Sequence, residues 1–156
     1  MDVTIAEEAP MQDDVRTMVK ALNAYLAPLS PPEFQFQLTV EQMAGSGNST
    51  FVARDADGSA VGMGSLYRHD EEFGEVKRMF TDERARGQGV GASILRAIEE
   101  RATGTGIQKL ALETGATSGF EGAWALYEKA GYQPSQAFAD YPDSGFSRFY
   151  EKTLTV

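Results

Sequence analysis

Cysteine is absent from all 156 residues, which excludes a disulfide framework, thiolate metal sites and thiol nucleophiles. Basic charge is scarce: 14 Lys and Arg stand against 23 Asp and Glu, a formal charge of −9. Such a surface repels nucleic acid and anionic lipid, so neither is expected as a partner. No run of about 18 apolar residues occurs, and Met1 to Glu8 lacks the basic start and apolar core of a signal peptide. A soluble, cytoplasmic protein is expected. No repeat, low-complexity tract or long linker divides the chain, and its length suits a single domain over residues 1–156.

Apolar spacing supplies the elements. Val3 to Ala6 reads as a short strand, and Val15, Met18, Val19, Leu22 and Leu26 mark a helix from Met11 to Leu26 that Pro28, Pro31 and Pro32 end. Thr39 to Met43 suits one or two helical turns. Thr50 to Arg54 and Ala60 to Arg68 flank the turn Asp55-Ala56-Asp57-Gly58 as a hairpin, and Phe73 to Thr81 follows as the next strand. Short turns make these three antiparallel. Val90, Ile94, Leu95, Ile98 and Ala102 form one helical stripe within Gly89 to Thr103, so the strand Lys109 to Glu113 runs parallel to the one before it. Ala123, Leu126, Tyr127 and Ala130 mark a second crossover helix capped by Gly131, and a short strand near Tyr132 to Gln133 and a last one from Phe146 to Leu154 close the chain. The expected fold is α+β: a single mixed, largely antiparallel sheet flanked by helices.

Residues 77–101 hold six basic and four acidic side chains, a positive segment in an acidic protein. It contains Arg86-Gly87-Gln88-Gly89-Val90-Gly91-Ala92, three glycines in five residues between a strand and a helix. Glycine lets N–H groups approach a ligand closely, and the free amides and dipole of a helix N-terminus favour phosphate. Gly87-x-Gly89-x-x-Ala92 also fits a loose dinucleotide fingerprint with Glu113 as the ribose-binding acid, although Asp82 to Arg86 separate the loop from its strand. The lysine of a Walker loop is missing, which disfavours nucleotide hydrolysis.

Met79-Phe80-Thr81-Asp82-Glu83-Arg84-Ala85-Arg86-Gly87-Gln88-Gly89-Val90-Gly91 resembles the fourth strand and pyrophosphate loop of the GNAT superfamily of acetyl-CoA-dependent N-acetyltransferases. Ala123-Trp124-Ala125-Leu126-Tyr127-Glu128-Lys129-Ala130-Gly131-Tyr132 is similar to that family's Ala-x-x-Leu-Tyr-x-x-x-Gly-Phe/Tyr segment. The resemblance runs from about Val3 to Leu154, towards a branch of small bacterial acetyltransferases. It implies acetyl-CoA as co-substrate and no metal. The pyrophosphate would lie on Gly87, Gln88, Gly89, Val90, Gly91 and Ala92 with Arg86 beside it, and the pantetheine arm along Met79, Phe80 and Thr81. A homodimer is a further implication. Phe120 stands where many relatives carry an Asn seven residues before the helix tyrosine.

An amine attacking a thioester must lose a proton, and the departing sulfur must gain one. The resemblance makes Tyr127 the general acid and Glu75 the candidate base, with Glu113 a second carboxylate. His69 falls in the acidic turn His69-Asp70-Glu71-Glu72 and reads as a solvated residue. Aromatic segments at Pro28 to Leu38 and Phe138 to Phe149 suit the walls of an acceptor slot, and Arg78 or Arg148 suits a carboxylate on it. The expected acceptor is a small-molecule primary amine, amino-acid-like or polyamine-like. A peptide or protein acceptor and a non-catalytic acyl-CoA-binding regulatory domain are the alternatives.

Overall fold

The computed structural model describes residues 1–154. Its elements are β1 (Thr4–Glu7), α1 (Asp13–Leu26), α2 (Val40–Met43), β2 (Asn48–Arg54), β3 (Ala60–Arg68), β4 (Phe73–Thr81), α3 (Val90–Gly104), β5 (Lys109–Gly115), α4 (Glu121–Lys129), β6 (Gln133–Ser135) and β7 (Ser147–Thr153). They follow the expected order, with ends moved by a few residues. Tyr132, expected to open β6, is instead 2% exposed in the core, with its hydroxyl on Glu99 at 2.9 Å.

The sheet runs β1-β2-β3-β4-β5-β7-β6. Among the described residues only β4 and β5 are parallel neighbours, because α3 carries the chain back across the sheet between them. The last strand, β7, inserts between β5 and β6 and leaves three-residue β6 at the edge. Chain order alone does not reveal that swap, since β6 has only three residues and carries no alternation of its own.

Helices cover both faces, each burying its own apolar set. On one face Ile94, Leu95 and Ile98 of α3 pack on Val61, Val76, Leu110 and Leu112, with Tyr127 of α4 beside them. On the other, Val15, Met18, Val19 and Leu22 of α1 join Val40 and Met43 of α2 over Val52 and Met63. Each fully buried aliphatic side chain contributes about 1.5–3 kcal/mol relative to exposure, so the two stripes fix which face each helix takes. The four-residue α2 survives through its cap: Thr39 Oγ1 accepts from the Gln42 amide at 3.1 Å and Gln42 Oε1 accepts from the Thr39 amide at 2.9 Å.

Two departures from regular pairing position the site. First, β4 and β5 pair only from Phe73–Lys109 to Glu75–Ala111 and then separate. Second, the β3–β4 register slips between Met63 and Ser65, so that Arg78 and Met79 together oppose Gly64. Arg78 takes φ +56°, a left-handed conformation rare outside glycine, and a Cβ on Gly64 would come within 2.5 Å of Met79 Sδ. The bulge bends β4 away from β5 and opens the sheet.

Candidate active site

A cleft of about 670 Å³ fills the opening between β4 and β5 and continues to the N-terminus of α3. Its α3 end is main chain. Gly87 (φ +75°) and Gly89 (φ +82°) both require the left-handed region, and a Cβ at either would project into open space. Gly89 caps α3 without a side-chain bond, and the Ser93 amide makes the first return, to Gly89 O at 3.0 Å. The preceding N–H groups have no intrahelical acceptor, and the dipole adds about 0.3–1 kcal/mol for an exposed anion and up to about 2 when partly buried. These features fit a phosphate.

The third glycine has a separate structural reason, since a Cβ on Gly91 would sit 3.2 Å from Leu126 Cδ2 of α4. Arg86 donates from Nε to Thr81 O at 3.1 Å and lies over the Tyr25 ring. Gln88 turns its side chain back to Arg84 O at 3.4 Å, so among the loop residues it alone does not line the cleft. Met79, Phe80, Thr81, Val90 and Ala92 line it with the glycines.

Tyr127 reaches the cleft from α4 and is 6% exposed. Burial chiefly, and the Glu113 charge second, raise its pKa above the ordinary phenol value, so the hydroxyl keeps its proton. Among the described residues that hydroxyl makes no hydrogen bond; its ring packs 6.0 Å from Tyr132 and 6.2 Å from Tyr150.

The other end of the cleft is side chain. Glu75, 2% exposed, meets His69 Nε2 through Oε1 at 2.8 Å, and its Oε2 accepts from Lys77 Nζ at 3.1 Å and from the Tyr141 hydroxyl. Lys77 Nζ also donates to the Tyr141 oxygen at 2.7 Å. Burial first, then the Glu75 charge, raises the Tyr141 pKa. Glu113 accepts from Ser147 Oγ at 2.6 Å, and burial pushes its carboxyl upward. Two carboxylates and a protonated phenol therefore face one cleft.

His69 is not the solvated turn residue expected from its acidic neighbours. Its ring stacks on Phe73 at 5.1 Å and folds under the turn onto Glu75, because the strands beside the turn offer aromatic surface and a buried carboxylate. The aromatic segments do form walls: Phe34 stacks on Phe146 at 5.0 Å and Phe36 meets Tyr141 edge-on at 5.1 Å. Phe120 lies against Gly115, where a Cβ would come within 2.0 Å of its ring. Tyr25 OH to Gly119 O (2.5 Å) and Thr117 Oγ1 to Leu29 O (2.7 Å) strap that loop to the end of α1. Asn23, which no sequence pattern marks, accepts from Arg78 Nη2.

The family model described as Acetyltransferase (GNAT) family matches residues 16–132. The IAA acetyltransferase of Azospirillum brasilense is 38% identical over 154 residues, 98% of this chain and 99% of that relative. A crystal structure from Klebsiella pneumoniae subsp. pneumoniae MGH 78578, provisionally named an acyl-CoA N-acyltransferase, is 34% identical with a TM-score of 0.82 over 98% of both chains. PaiA N-acetyltransferase from Thermoplasma acidophilum, solved with coenzyme A, shares the fold at a TM-score of 0.76 and 14% identity, over 98% of this chain and 99% of that one.

Proposed function

The chain belongs to the GNAT acetyltransferase family, and from that premise we propose that it moves the acetyl group of acetyl-CoA to the primary amine of a small molecule by direct attack. The observation that carries this reading is the single cleft that joins the glycine-lined end of α3 to Tyr127, Glu75 and Glu113. Acetyl-CoA supplies an activated thioester: a C–N bond forms as the C–S bond breaks, sulfur takes up one proton and the ammonium gives up two.

The amides from Gly87 to Ala92, Gln88 included through its main chain, hold the pyrophosphate with Arg86 adding charge. Met79 to Thr81 offer strand edge to the pantetheine arm, and an N–H near Phe80 or Thr81 holds the thioester oxygen. Glu75 receives a proton from the acceptor ammonium. His69 and Lys77 orient its carboxylate, and Glu113 is a second acceptor of protons close by. Tyr127 gives its proton to sulfur, a role suited to a phenol that stays protonated in a buried place.

The test pairs a titration with coenzyme A against thiol release from acetyl-CoA over a panel of primary amines and amino acids. Saturable coenzyme A binding and acceptor-dependent thiol release are expected. Binding with no release for any amine overturns the reading.

A further inference from the structure

Strand alternation would turn Arg78 to the same face as Val76, which packs in the α3 core. The bulge reverses this, and Arg78 reaches Asn23 on α1, the face that Phe80 also takes. An arginine is thereby placed at the acceptor end of the cleft, and its residue is only 8% exposed.

Nothing there matches its charge. Nη2 donates to the neutral Asn23 carbonyl, Nε is buried with no partner, and among the described residues no carboxylate lies within ion-pair distance. Neighbouring charges are already engaged: Lys77 with Glu75, Glu113 with Ser147 Oγ, and Arg86 with Thr81 O and the Tyr25 ring. Arg148, the other cation that sequence offers for a carboxylate, stacks 3.5 Å from the Trp124 centroid and donates to Tyr150, away from the cleft. Burial lowers the Arg78 pKa to about 10, the mark of a cation stripped of water without an anion in exchange. A buried unpaired guanidinium is costly, and a planar carboxylate matches its fork geometry.

We infer that the acceptor carries a carboxylate as well as its amine, that Arg78 receives that carboxylate, and that the substrates are therefore amino acids. The inference rests on the acetyltransferase reading above. Glu75 and Arg78 lie three residues apart on β4, about 10 Å of extended chain, a span that a small amino acid fills between two inward-reaching side chains. A polyamine would instead bring a second cation to Arg78.

The experiment compares each amino acid with its carboxamide and its decarboxylated amine in the thiol-release assay, for wild type, Arg78→Lys and Arg78→Gln. Binding of the matching N-acetyl amino acid to coenzyme A-saturated protein is the readout that does not depend on turnover. Wild type should favour the carboxylate by about 10- to 100-fold in kcat/KM, the scale of one charged hydrogen bond. Arg78→Gln should lose that preference and the binding of the N-acetyl amino acid, Arg78→Lys should keep part of both, and all three should bind coenzyme A. Equal use of carboxylate and carboxamide by wild type, or an unchanged ratio in a coenzyme A-binding Arg78→Gln protein, overturns the inference. So does coenzyme A-competent wild type that acetylates only carboxylate-free amines, whereas absence of release with any amine at all sinks the acetyltransferase reading. Loss of coenzyme A binding by wild type would likewise sink the acetyltransferase reading itself.

Discussion

At the α3 end the cleft is lined by the glycine loop, Gly87 and Gly89 to Ala92, whereas at the far end it is lined by side chains gathered from Phe34, Glu75, Lys77, Glu113 and Tyr141. Main-chain recognition depends on conformation, so it leaves a contiguous mark, glycines at positive φ ahead of a helix. Side-chain recognition depends on what the fold brings together, and its members are scattered over more than 100 positions. Tyr127 stands where the two ends meet, and variants at each end test whether the division holds.

The largest effect is expected at Tyr127. Tyr127→Phe removes a hydroxyl that bonds to nothing among the described residues, so stability should change by about 1 kcal/mol at most. Loss of the acid should nevertheless lower kcat by roughly 10²–10⁴, with coenzyme A affinity kept. Because burial raises the phenol pKa, wild-type kcat/KM should climb with pH as the amine deprotonates and show no fall at about pH 10, the ordinary phenol value. Full activity in the variant would assign Tyr127 to the core alone.

Gly89→Val should break the main-chain end. A β-branched residue at φ +82° carries about 1–2 kcal/mol of strain, and its side chain occupies the space in front of the helix amides. Coenzyme A affinity should fall about 10- to 100-fold in a titration, with the fold retained by circular dichroism. An unchanged affinity in folded protein removes the pyrophosphate from this loop.

The same division explains what the sequence made legible. The order of elements, the α1 and α3 stripes, the parallel β4–β5 pair and the glycine loop all follow from local periodicity or local conformation. The insertion of β7 between β5 and β6 does not, since local alternation does not say which antiparallel partner a strand takes. His69 is hidden for a related reason: four polar residues in a row suggest solvent, but the ring's environment is set by Phe73 and Glu75 across the turn. The direction of Arg78 was hidden too, because a bulge inverts alternation without changing composition.

Phe36→Ala probes the side-chain end and should spare the other. Its edge-on contact with Tyr141 is of a kind that contributes about 0.5–1.5 kcal/mol beyond area. The acceptor KM should rise roughly 2- to 10-fold while coenzyme A affinity stays put. A matching loss of coenzyme A affinity would mean that the two ends are not separable.

The smallest effect concerns Glu113, whose burial at the side-chain end has a cost in stability rather than in binding. Burial raises its carboxyl pKa above the ordinary value, despite the Ser147 bond and the Lys77 charge, which both act downward. Between the unfolded and the folded pKa the native state therefore holds more proton than the unfolded chain. The slope of unfolding free energy with pH follows protons bound in the unfolded state minus those bound in the native state, so it is negative across that window. Glu113's contribution is fully present below the unfolded pKa and is lost as pH rises through the raised one. Glu113→Gln cannot ionise and keeps an oxygen for Ser147 Oγ, so it should lack this loss. Its Tm relative to wild type should increase from acid towards neutral pH, read against the scale on which about 1 kcal/mol moves Tm by roughly 2–4 °C in a domain of this size. A Tm difference that stays flat with pH would mean that water reaches this carboxyl in the free protein and that burial does not set its protonation.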